Sequence, residues 1–392
     1  MPAGERRGPV AAPRRLRVAL VTSSYNYIPD GVALTLNRLV GYLESQGVEV
    51  LVFAPVARAA AFAHQGLIVP IPSVPMPARP EYRLALGLPR AARERLAAFD
   101  PDIIHIAVPD FLGHQALAVG KAMGVPVVAS YHTRYDTYLK YYGLDFLQES
   151  VARRLRKFFA ACREVYVPSA SMAEVLLAQG AGANIHLWVR GVDTSRFNPA
   201  KRSQAWRLAR GIAPDEVVVA FFGRLVREKQ VGLVAEVFQR LTALGIPHRG
   251  MFVGDGPERA ALEKAAPGAV FAGFLNGEDL ASAYASSDIF LFPSDTETFG
   301  NVTLEAMASG LPTACADATG SRSLVEPGVT GHLVATGDVE GFTAAVQSMI
   351  LDGSLRLGMG MAARRRALRF SWEETMADLL GRYEALAAPA AA

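Results

Sequence analysis

The sequence predicts an α/β protein made of two doubly wound domains in tandem, and three observations carry that prediction. Short apolar, β-branched runs alternate with helical stretches along the whole chain. The alternation restarts near the middle. The length, 392 residues, exceeds what one core usually holds. Apolar strands separated by helices indicate parallel sheets covered on both faces.

Taken in order, "RVALVTS" (17–23) reads as a buried strand, followed by a loop containing Gly31. A helical pattern covers residues 32–46 and stops at Gly47. The next strands are 48–55, 102–107, 125–132 and 164–169. Asp193, Asn198 and Pro199, in "RGVDTSRFNPAKR", are turn chemistry and place the boundary near 190–200. A fresh strand follows at 216–223, then a helix over 231–244 and strand–loop units at 248–257, 269–275, 288–294 and 312–317. This gives an N-terminal domain over 15–195, a C-terminal domain over 196–370 and a final helix over 371–388. Doubly wound sheets bind ligands beyond the carboxyl ends of their strands. Two such domains facing each other would leave a cleft.

Composition narrows the function. A hydrophobic content of 51% and a charged content of 20% describe a globular chain. A net charge of +3 gives no dense basic face for nucleic acid. The two cysteines, Cys162 and Cys315, form no disulfide framework and no metal spacing, which fits a reducing cytoplasm. The apolar run after the N-terminal arginines is too short for a signal peptide, and no run is long enough to span a bilayer. "DPD" (100–102) opens a strand and reads as a turn, not a metal site.

The densest chemistry lies in "TETFGNVTLEAMASG" (296–310). A loop should run from Ser294 to Phe299, with a helix from about Asn301 to a stop at Gly310. Gly300, Asn301 and Val302 would then present amides at a helix N-terminus, a natural phosphate site. Glu297 before it and Glu305 inside it can accept hydroxyl hydrogen bonds on either side of a diphosphate. In "FFGRLVREKQ" (221–230), Arg224 and Lys229 follow a strand and can clamp that diphosphate, or they belong to a solvated loop. "VGDGP" (253–257) lacks the Lys-Ser/Thr of a P-loop, and its glycines read as turn residues. His132 ends a strand in "SYHT", and "RYDTYLKYYGL" (134–144) follows it. In 150–164 the apolar Leu155, Phe158 and Phe159 share one stripe. Arg153, Arg154, Arg156 and Lys157 form either a solvated face of a core helix or a surface for anionic lipid.

"FGRLVREK", "VGDGP", "FAGFL" and "ETFGNVTLEAMASGLP" together resemble the retaining glycosyltransferases of family 4, which have the GT-B fold: two facing Rossmann-like domains with an interdomain cleft. The likeness covers nearly the whole chain. By position it implies that Glu297 binds donor-hexose hydroxyls and Glu305 the ribose hydroxyls. Gly300, Asn301 and Val302 would meet sugar and diphosphate, and Arg224 and Lys229 would neutralise the leaving group. Leu275 would contact the base, His132 would approach the transferred sugar, and Gly31 would let its loop close on the diphosphate. The final helix would cross back onto the first domain. Similar enzymes need no metal and no other cofactor.

"LWVRGVD" and the run through 283–307 are more similar to the lipid-glycosylating branch, which includes sulfoquinovosyl-, glucosyl- and glucuronosyl-diacylglycerol synthases and lipid mannosyltransferases. The implied substrates are a nucleotide sugar, UDP-linked in preference to GDP-mannose, and a membrane lipid such as diacylglycerol or a sphingolipid. The implied place is the cytoplasm, in peripheral contact with an anionic inner membrane face. A polysaccharide or small-glycoside transferase, a non-catalytic sugar-nucleotide binder and a GT-B epimerase are the alternatives. The chain departs from the family at "DGV" (30–32), which has one glycine where a pair is common, and at Gln230, where glycine is common. Arg190 stands where Asn is usual and Arg322 where Pro is common; either cation could meet an anionic donor sugar.

Overall fold

The computed structural model of the chain describes residues 14–57, 59–76, 79–132, 146, 148–180 and 184–388. The tyrosine-rich stretch 134–144 lies outside the described residues. The chain forms two compact units: residues 1–129 with 379–392, and residues 130–378.

The first unit is wound on a parallel sheet. Its elements are β1 (Arg17–Val21), α1 (Gly31–Ser45), β2 (Glu49–Pro55), β3 (Leu67–Ile71), β4 (Ser73–Met76), β5 (Arg79–Ala85), α2 (Arg90–Phe99), β6 (Ile103–Ile106), α3 (Phe111–Met123) and β7 (Val127–Ser130). The strand order β3-β2-β1-β6-β7 is parallel throughout, and β4 and β5 form a separate antiparallel hairpin. Residues of β1, β2 and β6 are almost entirely buried, as expected for strands covered on both faces. Asp30 and Asp110 cap α1 and α3 by accepting from Ala33 N and Gly113 N at 2.8 and 2.9 Å. The "DPD" turn behaves as read: Asp100 is left-handed at φ 49, and Asp102 accepts from Arg17 N at 2.8 Å.

The second unit begins with α4 (Gln148–Ala160), β8 (Glu164–Val167), α5 (Ala170–Ala178) and β9 (Ile185–Leu187), with β8 and β9 paired in parallel. It continues through α6 (Gln204–Leu208), β10 (Val218–Phe222), α7 (Val231–Ala243), β11 (Arg249–Val253), α8 (Arg259–Ala265), β12 (Val270–Gly273), α9 (Gly277–Ala285), β13 (Ile289–Phe292), α10 (Asn301–Ala308), β14 (Thr313–Ala316), α11 (Thr319–Leu324), β15 (Gly331–Val334), α12 (Val339–Leu351) and α13 (Gly353–Ala367). Its six-stranded sheet runs β12-β11-β10-β13-β14-β15, all parallel. Phe221, Phe222, Phe252, Phe290 and Phe292 are buried in one continuous core. A last helix, α14 (Trp372–Ala387), supplies Tyr383 to the first unit, where its hydroxyl shares a 2.5 Å hydrogen bond with buried His105 Nδ1.

The strands that were expected fall within their runs, trimmed by up to four residues at the ends. Sequence reading missed β3, β4, β5, β9 and β15. Prolines interrupt β3, β4 and β5 (Pro70, Pro75, Pro80), and β9 is only three residues long. Such segments carry almost no periodic signal.

Candidate active site

In the second unit, β10 is flanked by β11 and β13, so the chain winds in opposite directions from the β10–β13 seam. Ligands of open α/β sheets bind at such a seam, beyond the carboxyl ends of the strands. The loop after β10 carries Arg224 and Lys229. The loop after β13 carries Glu297 and leads into α10.

Two glycines set the first loop. A Cβ on Gly254, at φ +135, would lie 1.9 Å from the Gly223 carbonyl oxygen, and one on Gly256 would lie 2.4 Å from Leu225 O. The loops after β10 and β11 therefore interlock through backbone alone, with Leu225 N donating to Asp255 O and Glu258 N to Leu225 O. The glycines of "VGDGP" serve this close approach. The loop ends in a short turn, Arg227–Lys229, that aims Lys229 at the seam.

Lys229 donates to Glu297 Oε1, and both side chains are largely shielded from solvent, 14% and 19% exposed. Ser294 Oγ lies 3.5 Å from the same oxygen. Arg224 is more open, 42% exposed, with a guanidinium nitrogen 3.8 Å from buried Glu228. The Glu297 backbone is fixed from behind by α11: Gly320 N and Thr319 Oγ1 donate to Glu297 O at 3.0 and 2.7 Å. A Cβ on Gly320 would collide with Glu297 and Phe299 at 2.8 Å.

Gly300, at φ +99, turns the chain into α10, and no side chain caps that helix. The first-turn amides of Asn301 and Val302 thus point out of the helix end toward the seam. Glu305 lies one turn further in. Buried Tyr284, stacked on Phe222 with centroids 3.7 Å apart, donates to Glu305 Oε2 at 3.0 Å. Burial pushes the Glu305 carboxyl up to about 7; the Tyr284 hydrogen bond and the charge of Arg196 pull the other way. The same burial, with the Glu305 charge, raises the Tyr284 hydroxyl well above its ordinary value. Tyr284 carried no sequence signal, because an aromatic in a short helix reads as core.

His132 comes to this loop from far away in sequence: Thr298 Oγ1 donates to His132 O at 3.0 Å. Its ring contacts Ser130 Oγ through Nε2 at 2.7 Å and Arg190 through Nδ1 at 2.8 Å. Arg190 is buried and spends another donor on Trp188 O at 3.1 Å. Arg322 is engaged elsewhere, in a two-point pair with Asp317.

The remaining candidates belong to other elements. Leu275 sits between β12 and α9, partly buried against the core. Gly31 belongs to the first unit, as the first residue of α1, and its carbonyl accepts from Thr35 Oγ1 at 2.7 Å. On α4, Phe158 and Phe159 are buried, while Arg153, Arg154 and Lys157 are exposed; Arg156 donates to Glu149 at 2.9 Å. Among the described residues no three His, Cys, Asp or Glu side chains are grouped as for a metal ion. No described helix is long and apolar enough to cross a membrane.

Gln230, directly after Lys229, is left-handed at φ 51, and its buried Nε2 has no acceptor among the described residues. Gln230→Gly removes both penalties, partly offset by the entropy of a freer unfolded chain. The expected gain is about 0.5–1 kcal/mol, read as a higher denaturant midpoint with an unchanged slope; a lower midpoint would show that the Gln230 side chain supports the loop.

The arrangement provides cations and helix amides for a diphosphate, with carboxylates on both sides. Two family models match the chain: one described as "Glycosyltransferase Family 4" over residues 29–196 and one described as "Glycosyl transferases group 1" over 216–352. The GDP-mannose-dependent alpha-mannosyltransferase of Mycobacterium tuberculosis is 37% identical, covering 95% of this chain and 97% of the relative. The sulfoquinovosyl transferase SQD2 of Arabidopsis thaliana is 35% identical, over 93% of this chain and 72% of the relative. The alpha-monoglucosyldiacylglycerol synthase of Acholeplasma laidlawii is 26% identical, over 76% and 79%. Among solved structures, a sucrose-phosphate synthase from Thermosynechococcus elongatus matches with a TM-score of 0.76 at 20% identity, covering 95% of this chain and 99% of that one. Anabaena HepE in complex with UDP and glucose matches at 0.72 and 19% identity, covering 95% and 100%. The two parallel-sheet, Rossmann-like halves are thus of the GT-B type.

Proposed function

Because the chain belongs to glycosyltransferase family 4 and is a hexosyltransferase using nucleotide sugars, we propose that it moves a hexosyl or uronosyl unit, with retention, onto a membrane lipid. The carrying observation is the Lys229–Glu297 pair beside the uncapped N-terminus of α10, with Glu305 enclosed one turn later. In this reading Glu297 holds hexose hydroxyls and Glu305 ribose hydroxyls. Lys229, Arg224 and the amides of Gly300, Asn301 and Val302 stabilise the charge that grows on the departing diphosphate. Leu275 meets the base through its main chain. In this reading the two cations supply the charge that a divalent ion would otherwise supply, so turnover should survive a chelator; loss with EDTA and recovery with a divalent cation would overturn that part.

The relative named as an alpha-monoglucosyldiacylglycerol synthase supports the lipid acceptor. The exposed basic side of α4 supports contact with anionic lipid at the inner membrane face. UDP-sugars remain the first donors to offer. The GDP-mannose-dependent relatives, aligned almost end to end, make GDP-mannose the second donor.

The test offers labelled UDP-glucose, UDP-glucuronate and GDP-mannose to the protein with vesicles of diacylglycerol and anionic lipid. Label should enter the lipid phase from one donor. Label entering only soluble sugars would establish the polysaccharide or small-glycoside alternative. Nucleotide binding without any transfer would leave a sugar-nucleotide binder. In flotation, anionic vesicles should carry more protein than neutral ones. Neutralising Arg153, Arg154, Arg156 and Lys157 together should abolish the difference; an unchanged difference removes α4 as the contact.

A further inference from the structure

We propose that Arg190 is a positioning residue that locks His132 as a neutral imidazole whose one N–H, on Nε2, is given to Ser130 Oγ, so that His132 does not act as a base. Its bearing on transfer rests on the function proposed above; the lock itself does not.

The argument starts from donor and acceptor inventories. A guanidinium has five N–H donors and no acceptor. Its nitrogen lies 2.8 Å from His132 Nδ1, so Nδ1 must offer its lone pair. In a neutral ring the proton then sits on Nε2, 2.7 Å from Ser130 Oγ. Protonating Nδ1 would break the Arg190 bond and put two cations in contact, which disfavours the charged ring.

Packing fixes both partners. The Arg190 guanidinium lies 4.3 Å over the Trp188 ring and also donates to Trp188 O. The edge of the same indole meets the His132 ring at 5.8 Å and 74°. Thr298 ties down the His132 carbonyl. Of these contacts, Ser130 comes from the end of β7, Trp188 and Arg190 from the segment after β9, and Thr298 from the loop before α10. Among the described residues that make these contacts, the charged group is Arg190. Glu297, next to Thr298, is paired with Lys229. Burial draws Arg190 down to about 9, which leaves it charged at neutral pH. An Asn at this position could donate or accept; arginine can only donate, so this chain imposes one tautomer.

The direct test is a nitrogen-resolved NMR titration of the full-length protein labelled at histidine. The protein has seven histidines, and the His132→Gln spectrum identifies the signal. His132 should show a protonated Nε2 and a bare Nδ1, unchanged from about pH 8 to 5.5. In Arg190→Met it should titrate near its ordinary value of about 6.5. Arg190→Lys keeps a cation and should keep most of the suppression. In transfer assays, kcat of Arg190→Met should acquire a new acidic limb near pH 6.5 that wild type lacks, with the donor KM little changed. A merely structural loss would lower kcat equally at every pH.

A wild-type His132 that titrates near 6.5, or that carries its proton on Nδ1, overturns the proposal without any variant. If no donor is turned over, the proposed function fails while the NMR result still decides the lock. An active enzyme with an ordinary titrating His132 sinks the lock alone.

Discussion

Glu305→Ala should weaken binding of the donor nucleotide by roughly 100-fold or more. In the proposed role Glu305 accepts two ribose hydroxyls, and a hydrogen bond to a charged group contributes about 1.5–3 kcal/mol. Two of them exceed the 2.7 kcal/mol or so that corresponds to a hundredfold change. Titration calorimetry with UDP and with GDP reads the effect, and the nucleotide that binds wild type more tightly sets the donor class. Glu305→Gln keeps the shape and one acceptor, so it should fall between. Unchanged affinity in the alanine variant would remove Glu305 from the ribose site.

The same residue makes a signed pH prediction. The folded carboxyl is raised from 4.5 to about 7 by burial, so the folded protein holds a proton that the unfolded chain has already released. Between these values the unfolded state binds fewer protons, and stability must fall as pH rises, by up to about 1.4 kcal/mol per pH unit for one group. The difference in stability between wild type and Glu305→Gln should therefore shrink from pH 4.5 toward 7 to the disadvantage of wild type. Nucleotide binding runs the other way. Hydroxyls that donate to Glu305 need the carboxylate, so affinity should drop as pH falls below 7, with proton release on binding. Both trends should vanish in Glu305→Gln; a trend that persists there belongs to another group.

Lys229→Met should cut turnover by about 100- to 1,000-fold, the scale seen when one preorganised donor to a developing charge is removed. Lys229 is the better shielded of the two cations, 14% exposed against 42% for Arg224, so its charge is less screened by water. Arg224→Met should cost less. Lys229→Met also leaves the shielded Glu297 carboxylate without its cation and should lower stability. Adding Glu297→Gln should restore stability but not turnover. If the double variant regains turnover, the pair is structural and Lys229 does not act on the leaving group.

Much of this was legible in the chain itself. Alternating apolar runs and helical stretches follow from strand and helix periods, so the parallel sheets could be read directly. Glu297, Glu305, Arg224 and Lys229 were legible because glycine, a strand end and a helix start surround them. Proline-broken β3–β5 and the three-residue β9 were not, because pairing with neighbours, not local pattern, makes them strands. The glycines of "VGDGP" were legible as a turn but not as the backbone contact between two loops.

The sequence by itself determined the fold class, the family and the charged groups at the ends of β10 and β13, since these depend on local pattern and spacing. Only the tertiary structure decided what each group faces. It brought Lys229 onto Glu297 across 68 residues, Tyr284 onto Glu305, and Arg190 onto His132 across 58. A side chain's charge, tautomer and pKa are set by burial and by partners within a few ångströms, and those distances exist only once the chain is folded.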